Sequence, residues 1–181
     1  MGLSTLILRL RAGMSCKMKK VIIIGCPGAG KSYFAKKLHS ITGIPLYHLD
    51  MIWHKPDKTH IGRVEFDETL KRIFPNDAWI MDGNYSRTME MRMHACDTII
   101  LFDIPYEICM QGIREREGTK RDDMPWEVVE ADSMLLNEVK SYIPQQLPKV
   151  YQLLDKYKHN KEVIIFNARE EAEKWLMKIT F

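Results

Sequence analysis

Cysteine is sparse and unpatterned in this 181-residue chain. The four cysteines, Cys16, Cys26, Cys96 and Cys109, form no C-x-x-C pair. That argues against a disulfide framework or a zinc site and fits a reducing, cytoplasmic compartment. Long apolar runs are missing too: nothing approaches the roughly 18 consecutive apolar residues that a membrane-spanning helix needs. Neither sign of charge dominates, with 27 Lys and Arg against 24 Asp and Glu and a net charge of +3. Acidic and basic residues are mixed, and no helix-turn-helix, zinc finger or concentrated basic stretch marks a nucleic-acid-binding module. There is no internal repeat, low-complexity segment or linker, so the length is that of one domain with a substantial core.

What is present begins with a basic start. The first twenty residues carry five basic side chains and no acidic one. Arg9 and Arg11 interrupt the apolar stretch that a secretory signal would need, and Leu6 breaks the myristoylation pattern. An organellar presequence and a later start at Met14 or Met18 stay open. Residues 1–17 are expected to be a loosely attached extension, with 18–181 forming the domain.

Apolar runs and helical spacing then alternate. Strands are expected at about 20–25, from Pro45 in "IPLYHLD", and over 78–82, 97–104 and 162–166. A first helix is expected from Lys31, with Phe34, Leu38 and Ile41 on one face and Gly43 as its C-terminal cap. Further helices are expected over about 63–73, after Pro105, and through "PWEVVEADSMLLNEVKSYI" with Pro125 in the first turn. Pro144 and Pro148 should break the region before "VYQLLDKYK", and "AREEAEKWLMKI" should close the chain. Several strands are continuous apolar runs, the pattern of a parallel sheet covered on both faces in an α/β fold.

The strand at 20–25 runs into Gly25-Cys26-Pro27-Gly28-Ala29-Gly30-Lys31-Ser32, a full match to G-x-x-x-x-G-K-[ST]. Such a loop curls its N–H groups around a phosphate, and the following helix, with Tyr33 next in line, offers its positive end to the same anion. Lys31 would reach the β- and γ-phosphates and Ser32 would hold Mg²⁺. A nucleoside triphosphate is therefore the expected ligand. Cys26 is read as a small tolerated side chain rather than a redox switch.

Two later stretches resemble nucleoside monophosphate kinases, and a third resembles related small-molecule kinases. In "WIMDGNYSRT", Asp82 ends an apolar strand where those kinases carry the carboxylate that holds Mg²⁺. The turn there has one residue more than the kinase pattern, and Arg87 matches the arginine that contacts the acceptor. In "DIPYEICMQGIREREGTKRDD", Arg114, Arg116 and Arg121 match the arginines of the helix end and lid that clamp the transferring phosphoryl group, with Lys120 a weaker candidate and Gly118 in or near a hinge. In "IPLYHLDMIWHKP", Asp50 stands where related kinases place an acid against the acceptor hydroxyl, and His48, Trp53 and His54 would shape the acceptor pocket.

Over most of residues 18–181 the chain resembles the adenylate-kinase-like P-loop family, in particular the branch labelled DNA topology modulation proteins. "GxPGAGKS", "PLYHLDxxWxKP", "WIxDGNYSRT" and "KEVIIFNAREEAEKWL" carry the resemblance. It implies a three-layer α/β/α P-loop fold, a five-stranded parallel sheet in the order 2-3-1-4-5 and a short lid. The activity expected is transfer of the ATP γ-phosphoryl group, with Mg²⁺, to a small-molecule acceptor. Two rivals stay open: a nucleotide-dependent regulator with weak ATPase activity, and a basic DNA-binding module. A membrane partner is not expected, and a monomer and a homodimer fit equally.

Overall fold

The computed structural model describes residues 18–119, 121–126 and 133–179. The expected extension over 1–17 and the lid candidate Lys120 lie outside them. Five parallel strands form one sheet: β1 (Lys20–Gly25), β2 (Leu46–His48), β3 (Trp79–Asp82), β4 (Thr98–Phe102) and β5 (Glu162–Phe166). Their order is β2-β3-β1-β4-β5, as the resemblance implied.

The continuous apolar runs have a direct structural reason. Side chains alternate across a strand, and here both faces are covered. Val21, Ile23, Ile80, Ile100 and Phe166 pack on one side with Phe34 and Leu38 of α1 (Lys31–Thr42), Ile113 of α5 (Tyr106–Arg114), Val139 of α6 (Ser133–Ser141) and Leu176 of α8 (Arg169–Leu176). On the other side, Ile22, Ile24, Met81, Ile99 and Leu101 meet Phe66 and Leu70 of α3 (Arg63–Ile73), Met89 and Met93 of α4 (Ser86–Ala95) and Leu154 of α7 (Leu147–Tyr157). The result is three layers, α/β/α. Each large apolar side chain buried in it contributes about 1.5–3 kcal/mol. Phe34 is central to the first layer, with its ring 5.2 Å from Phe102 and 5.8 Å from Trp175.

Gly43 caps α1 as expected: its φ of 70° is left-handed and its N–H reaches the His39 carbonyl. Two helices were not anticipated, α2 (Leu49–Trp53) and α4. The prolines also act differently from expectation. Pro144 lies inside a π-helical turn, Tyr142–Gln146, that joins α6 to α7 without a break. The wider turn accommodates a residue that cannot donate, and Pro148 follows it directly at the start of α7. Pro125 and Trp126 form a bend, and the expected helix is described only over Ser133–Ser141. Among the described residues no helix is long and apolar enough to cross a membrane.

Parallel register aligns the strand ends. His48 lies opposite Asp82, Ile23 opposite Asp82, and Gly25 opposite Phe102. One edge of the sheet thus carries the P-loop, Asp50 and Asp82 together.

Candidate active site

The P-loop turns between Gly25 and Lys31 on glycines with positive φ, 83° at Gly28 and 102° at Gly30. Gly30 starts α1 with no capping side chain, and the first turn of α1 carries no acid. Its N–H groups and dipole are therefore left to an external anion. Lys31 is buried and its Nζ donates to the Cys26 carbonyl at 2.9 Å. Burial pulls its ammonium below the ordinary value, with Asp82 acting in the opposite sense. Pro27 is half-buried, Ala29 is buried and Tyr33 is exposed.

The loop is braced from behind by α5, an arrangement that sequence reasoning missed. A Cβ on Gly28 would lie 2.0 Å from the Cys109 carbonyl, and one on Gly112 would lie 2.3 Å from the Gly28 carbonyl. Only glycine permits that approach. Arg169, at the start of α8, then donates to the Gly28 carbonyl at 2.8 Å and to the Ile108 carbonyl at 3.1 Å. A cavity of about 280 Å³ beside the loop is bordered by Gly30, Tyr33, Gly112, Arg116 and Arg169. Cys26 is buried, and a hydrogen bond with Cys109, reinforced by burial, pushes its thiol up. That is the opposite of what a reactive cysteine requires.

Asp82 is buried at the end of β3. One oxygen meets His48 Nδ1 at 3.0 Å, and Oδ1 is buried without a hydrogen-bond partner. His48, expected in the acceptor pocket, is thus engaged by Asp82 at the end of β2. Asp123 joins them: ligand atoms of His48, Asp82 and Asp123 lie within 4.8 Å of one another. The Ser32 hydroxyl donates to Asp123 as well. Burial alone would raise the Asp123 carboxyl, but the Arg121 guanidinium, bonded at 2.9 and 2.7 Å, holds it well below the usual carboxylate range. Ser32, Asp82 and Asp123 are hard oxygen donors around an orphaned buried carboxylate oxygen, a set that fits Mg²⁺. Asp123 was not singled out in the sequence because it is one acid in a charged loop.

The turn after β3 is held by an unforeseen residue. Arg92 of α4 is fully buried and donates to the carbonyls of Gly83 at 2.9 Å, of Tyr85 at 3.2 Å and of Asn84. Asn84 Oδ1 accepts the Gly25 N–H at 3.1 Å, tying the turn to the P-loop. Tyr85 takes φ 36° at the N-terminus of α4, and its hydroxyl donates to Asp50 Oδ1 at 2.8 Å. Burial pushes the Asp50 carboxyl above its usual range, with the Tyr85 hydrogen bond acting in the opposite sense.

The lid arginines divide. Arg116 and Arg121 are partly buried and act electrostatically on each other and on Asp82, and Arg116 acts on Lys31 as well. Arg114 is exposed at the end of α5. Gly118 takes a left-handed φ of 68° just beyond. Arg87 is engaged by Asp67 of α3 through two hydrogen bonds of 2.8 and 2.6 Å. Trp53 stacks on His60 with ring centres 4.5 Å apart and meets Tyr85 edge-on at 6.0 Å. His54 packs against Trp126 at 4.9 Å.

No protein-family model and no curated protein matches this chain. Solved structures do match. Shikimate kinase from Bacteroides thetaiotaomicron superposes over 90% of this chain and 96% of its own, with a TM-score of 0.55 and 17% identity. A sugar kinase from a Janibacter species does so over 90% and 92%, with a TM-score of 0.53 and 14% identity. At these identities the likeness is one of fold, the P-loop kinase fold. It lends no support to the topology-modulation label.

Proposed function

We propose that the protein is an ATP- and Mg²⁺-dependent phosphotransferase that acts on a hydroxyl of a small molecule. The observation that carries this is the convergence of Lys31, Ser32, Asp82, Asp123, Arg116 and Arg121 at the P-loop mouth, with the half-buried carboxylate of Asp50 beside them. Fold likeness to small-molecule kinases agrees with it.

In this scheme the P-loop and Lys31 bind the phosphates, and the cavity beside Gly112 and Arg169 receives the base. Ser32, Asp82 and Asp123 would hold Mg²⁺, which would supply charge neutralisation for the phosphates. Arg116 and Arg121 stabilise charge on the transferring group. The acceptor oxygen bonds to the γ-phosphorus as the bond to the β,γ-bridging oxygen breaks. ADP leaves with that electron pair, and the hydroxyl proton passes to Asp50. Burial serves this role, because a raised carboxyl is a stronger base.

The test is transfer from γ-labelled ATP into pooled hydroxylated metabolites, nucleosides and nucleotides. Label in an organic acceptor is the expected result. Label found only as inorganic phosphate, at a rate that no acceptor changes, would favour a nucleotide-dependent regulator and overturn the proposal.

A further inference from the structure

The carboxylate cluster at the end of β3 has a ring nitrogen in it. Parallel register sets His48, the last residue of β2, opposite Asp82, the last residue of β3. His48 Nδ1 and Asp82 Oδ2 stand 3.0 Å apart, and ligand atoms of His48, Asp82 and Asp123 all lie within 4.8 Å of one another. The three side chains are shielded, at 13% exposure for His48 and 5% for each aspartate. A hydrogen bond alone accounts for the 3.0 Å. It does not account for Asp82 Oδ1, which is buried beside it with no partner among the described residues. Such an oxygen is costly unless a donor or a cation meets it.

The positive groups nearby weaken the cluster's hold on a cation without filling it. Lys31 and Arg116 act on Asp82 electrostatically, but Lys31 Nζ donates to the Cys26 carbonyl. Arg121 is bidentate to Asp123, and the Ser32 hydroxyl adds a third bond there. A carboxylate offers about four lone-pair sites, so Asp123 keeps one to give. Next to it, Asp122 pairs with Lys36 of α1, which ties down the segment that carries Asp123. The three ligands are therefore in place without nucleotide.

Mg²⁺ does not suit such a set on its own. It dehydrates reluctantly and is held by one or two carboxylates together with substrate phosphates, not by an all-protein cage. Imidazole, by contrast, is a ligand of first-row transition ions. With bonds of about 2.1 Å, neighbouring ligands of a six-coordinate ion stand about 3.0 Å apart. That is the separation of His48 Nδ1 and Asp82 Oδ2. Among the transition ions, Mn²⁺ is the one that carboxylate and water ligands also suit.

We propose that His48, Asp82 and Asp123 form a protein-only site that binds a divalent transition cation of the Mn²⁺ type before nucleotide, with His48 Nδ1 as a direct ligand. The site is the one that the phosphotransfer function above gives to Mg²⁺, and the inference rests on that reading only for the ion's role. Towards Mg²⁺, His48 holds Asp82 in position. Towards Mn²⁺ it supplies a bond, and so sets a preference for that ion. ATP then meets a metal already in place.

The experiment is electron paramagnetic resonance of Mn²⁺ titrated into the full chain, with neither nucleotide nor acceptor present. One Mn²⁺ per chain should lose its free-ion signal, and Mg²⁺ should displace it only in about 10-fold excess or more. Spin-echo modulation should show a nitrogen coupling from the ligated imidazole. His48→Asn keeps an amide donor for Asp82 but removes the ring nitrogen. It should abolish the coupling and weaken Mn²⁺ binding by about 10- to 100-fold, with a smaller change for Mg²⁺ and an unaltered melting temperature. No Mn²⁺ held without nucleotide, or Mn²⁺ held with no nitrogen coupling, would overturn the inference. Parental Mn²⁺ affinity in His48→Asn would overturn it too, because an amide donor can replace a residue that only positions Asp82. A chain that binds Mn²⁺ as expected yet transfers no phosphoryl group would refute the function proposed above and leave the metal site standing.

Discussion

The Tyr85 hydroxyl donates to Asp50 Oδ1 at 2.8 Å, from a residue held in the left-handed region at φ 36°. This bond sets the proposed base. Burial raises the Asp50 carboxyl, and the Tyr85 donor favours its ionised form. Asp82 and Glu138 also face it as like charges, while His54, Lys31 and Arg121 act in the opposite sense. Tyr85→Phe removes a donor to the charged form, so the carboxyl rises further. A base works only when deprotonated, so the acid limb of the pH–rate profile should move to higher pH. A limb that stays in place would show that Asp50 is not the base.

Arg92 is fully buried, and its three carbonyl bonds hold residues 83–85 in the turn that presents Asn84 to the P-loop. Arg92→Leu leaves those carbonyls unpaired and should cost about 2–4 kcal/mol of stability, read as a lower urea midpoint at unchanged slope. An unaltered midpoint would show that the turn holds itself.

Much of this architecture was legible in the sequence, for physical reasons that also explain what was not. A strand buried on both faces must be apolar throughout, and "VIIIG" and "TIILF" announce that directly. The P-loop is written in glycines, lysine and serine because a backbone cradle needs those residue types. By contrast, α4 was missed because its buried face includes Arg92 along with Met89 and Met93, so apolar periodicity is broken where the turn is held. Asp123 was missed because its meaning comes from the fold, which brings the lid to Ser32. Arg87 was assigned to the acceptor by motif, whereas its ion-pair partner Asp67 comes from a different helix.

His48 meets Asp82 at 3.0 Å beside an orphaned carboxylate oxygen. Residues that orient a metal ligand typically govern metal affinity by 10- to 100-fold. His48→Ala should therefore weaken apparent Mg²⁺ affinity by about 10-fold with little change in acceptor KM. A change in acceptor KM alone would instead return His48 to the acceptor wall.

Gly112 and Arg169 brace the P-loop from behind. A Cβ at position 112 would collide with the Gly28 carbonyl and with Arg169, and Arg169→Ala deletes the bond to that carbonyl. Both Gly112→Ala and Arg169→Ala should raise the KM for ATP by about 10-fold, the equivalent of about 1.4 kcal/mol of lost binding, with the acceptor KM unmoved. An ATP KM equal to that of the parent protein in both variants would refute the brace.

The most direct measurement is γ-phosphoryl transfer by the parent protein and by Lys31→Ala, with the circular dichroism spectrum and melting temperature of each recorded alongside. Lys31 is expected to stabilise charge that develops on the phosphates, so its loss should reduce transfer by at least about 100-fold in a protein that still folds. Transfer that persists at the parental rate in the folded variant would contradict the account.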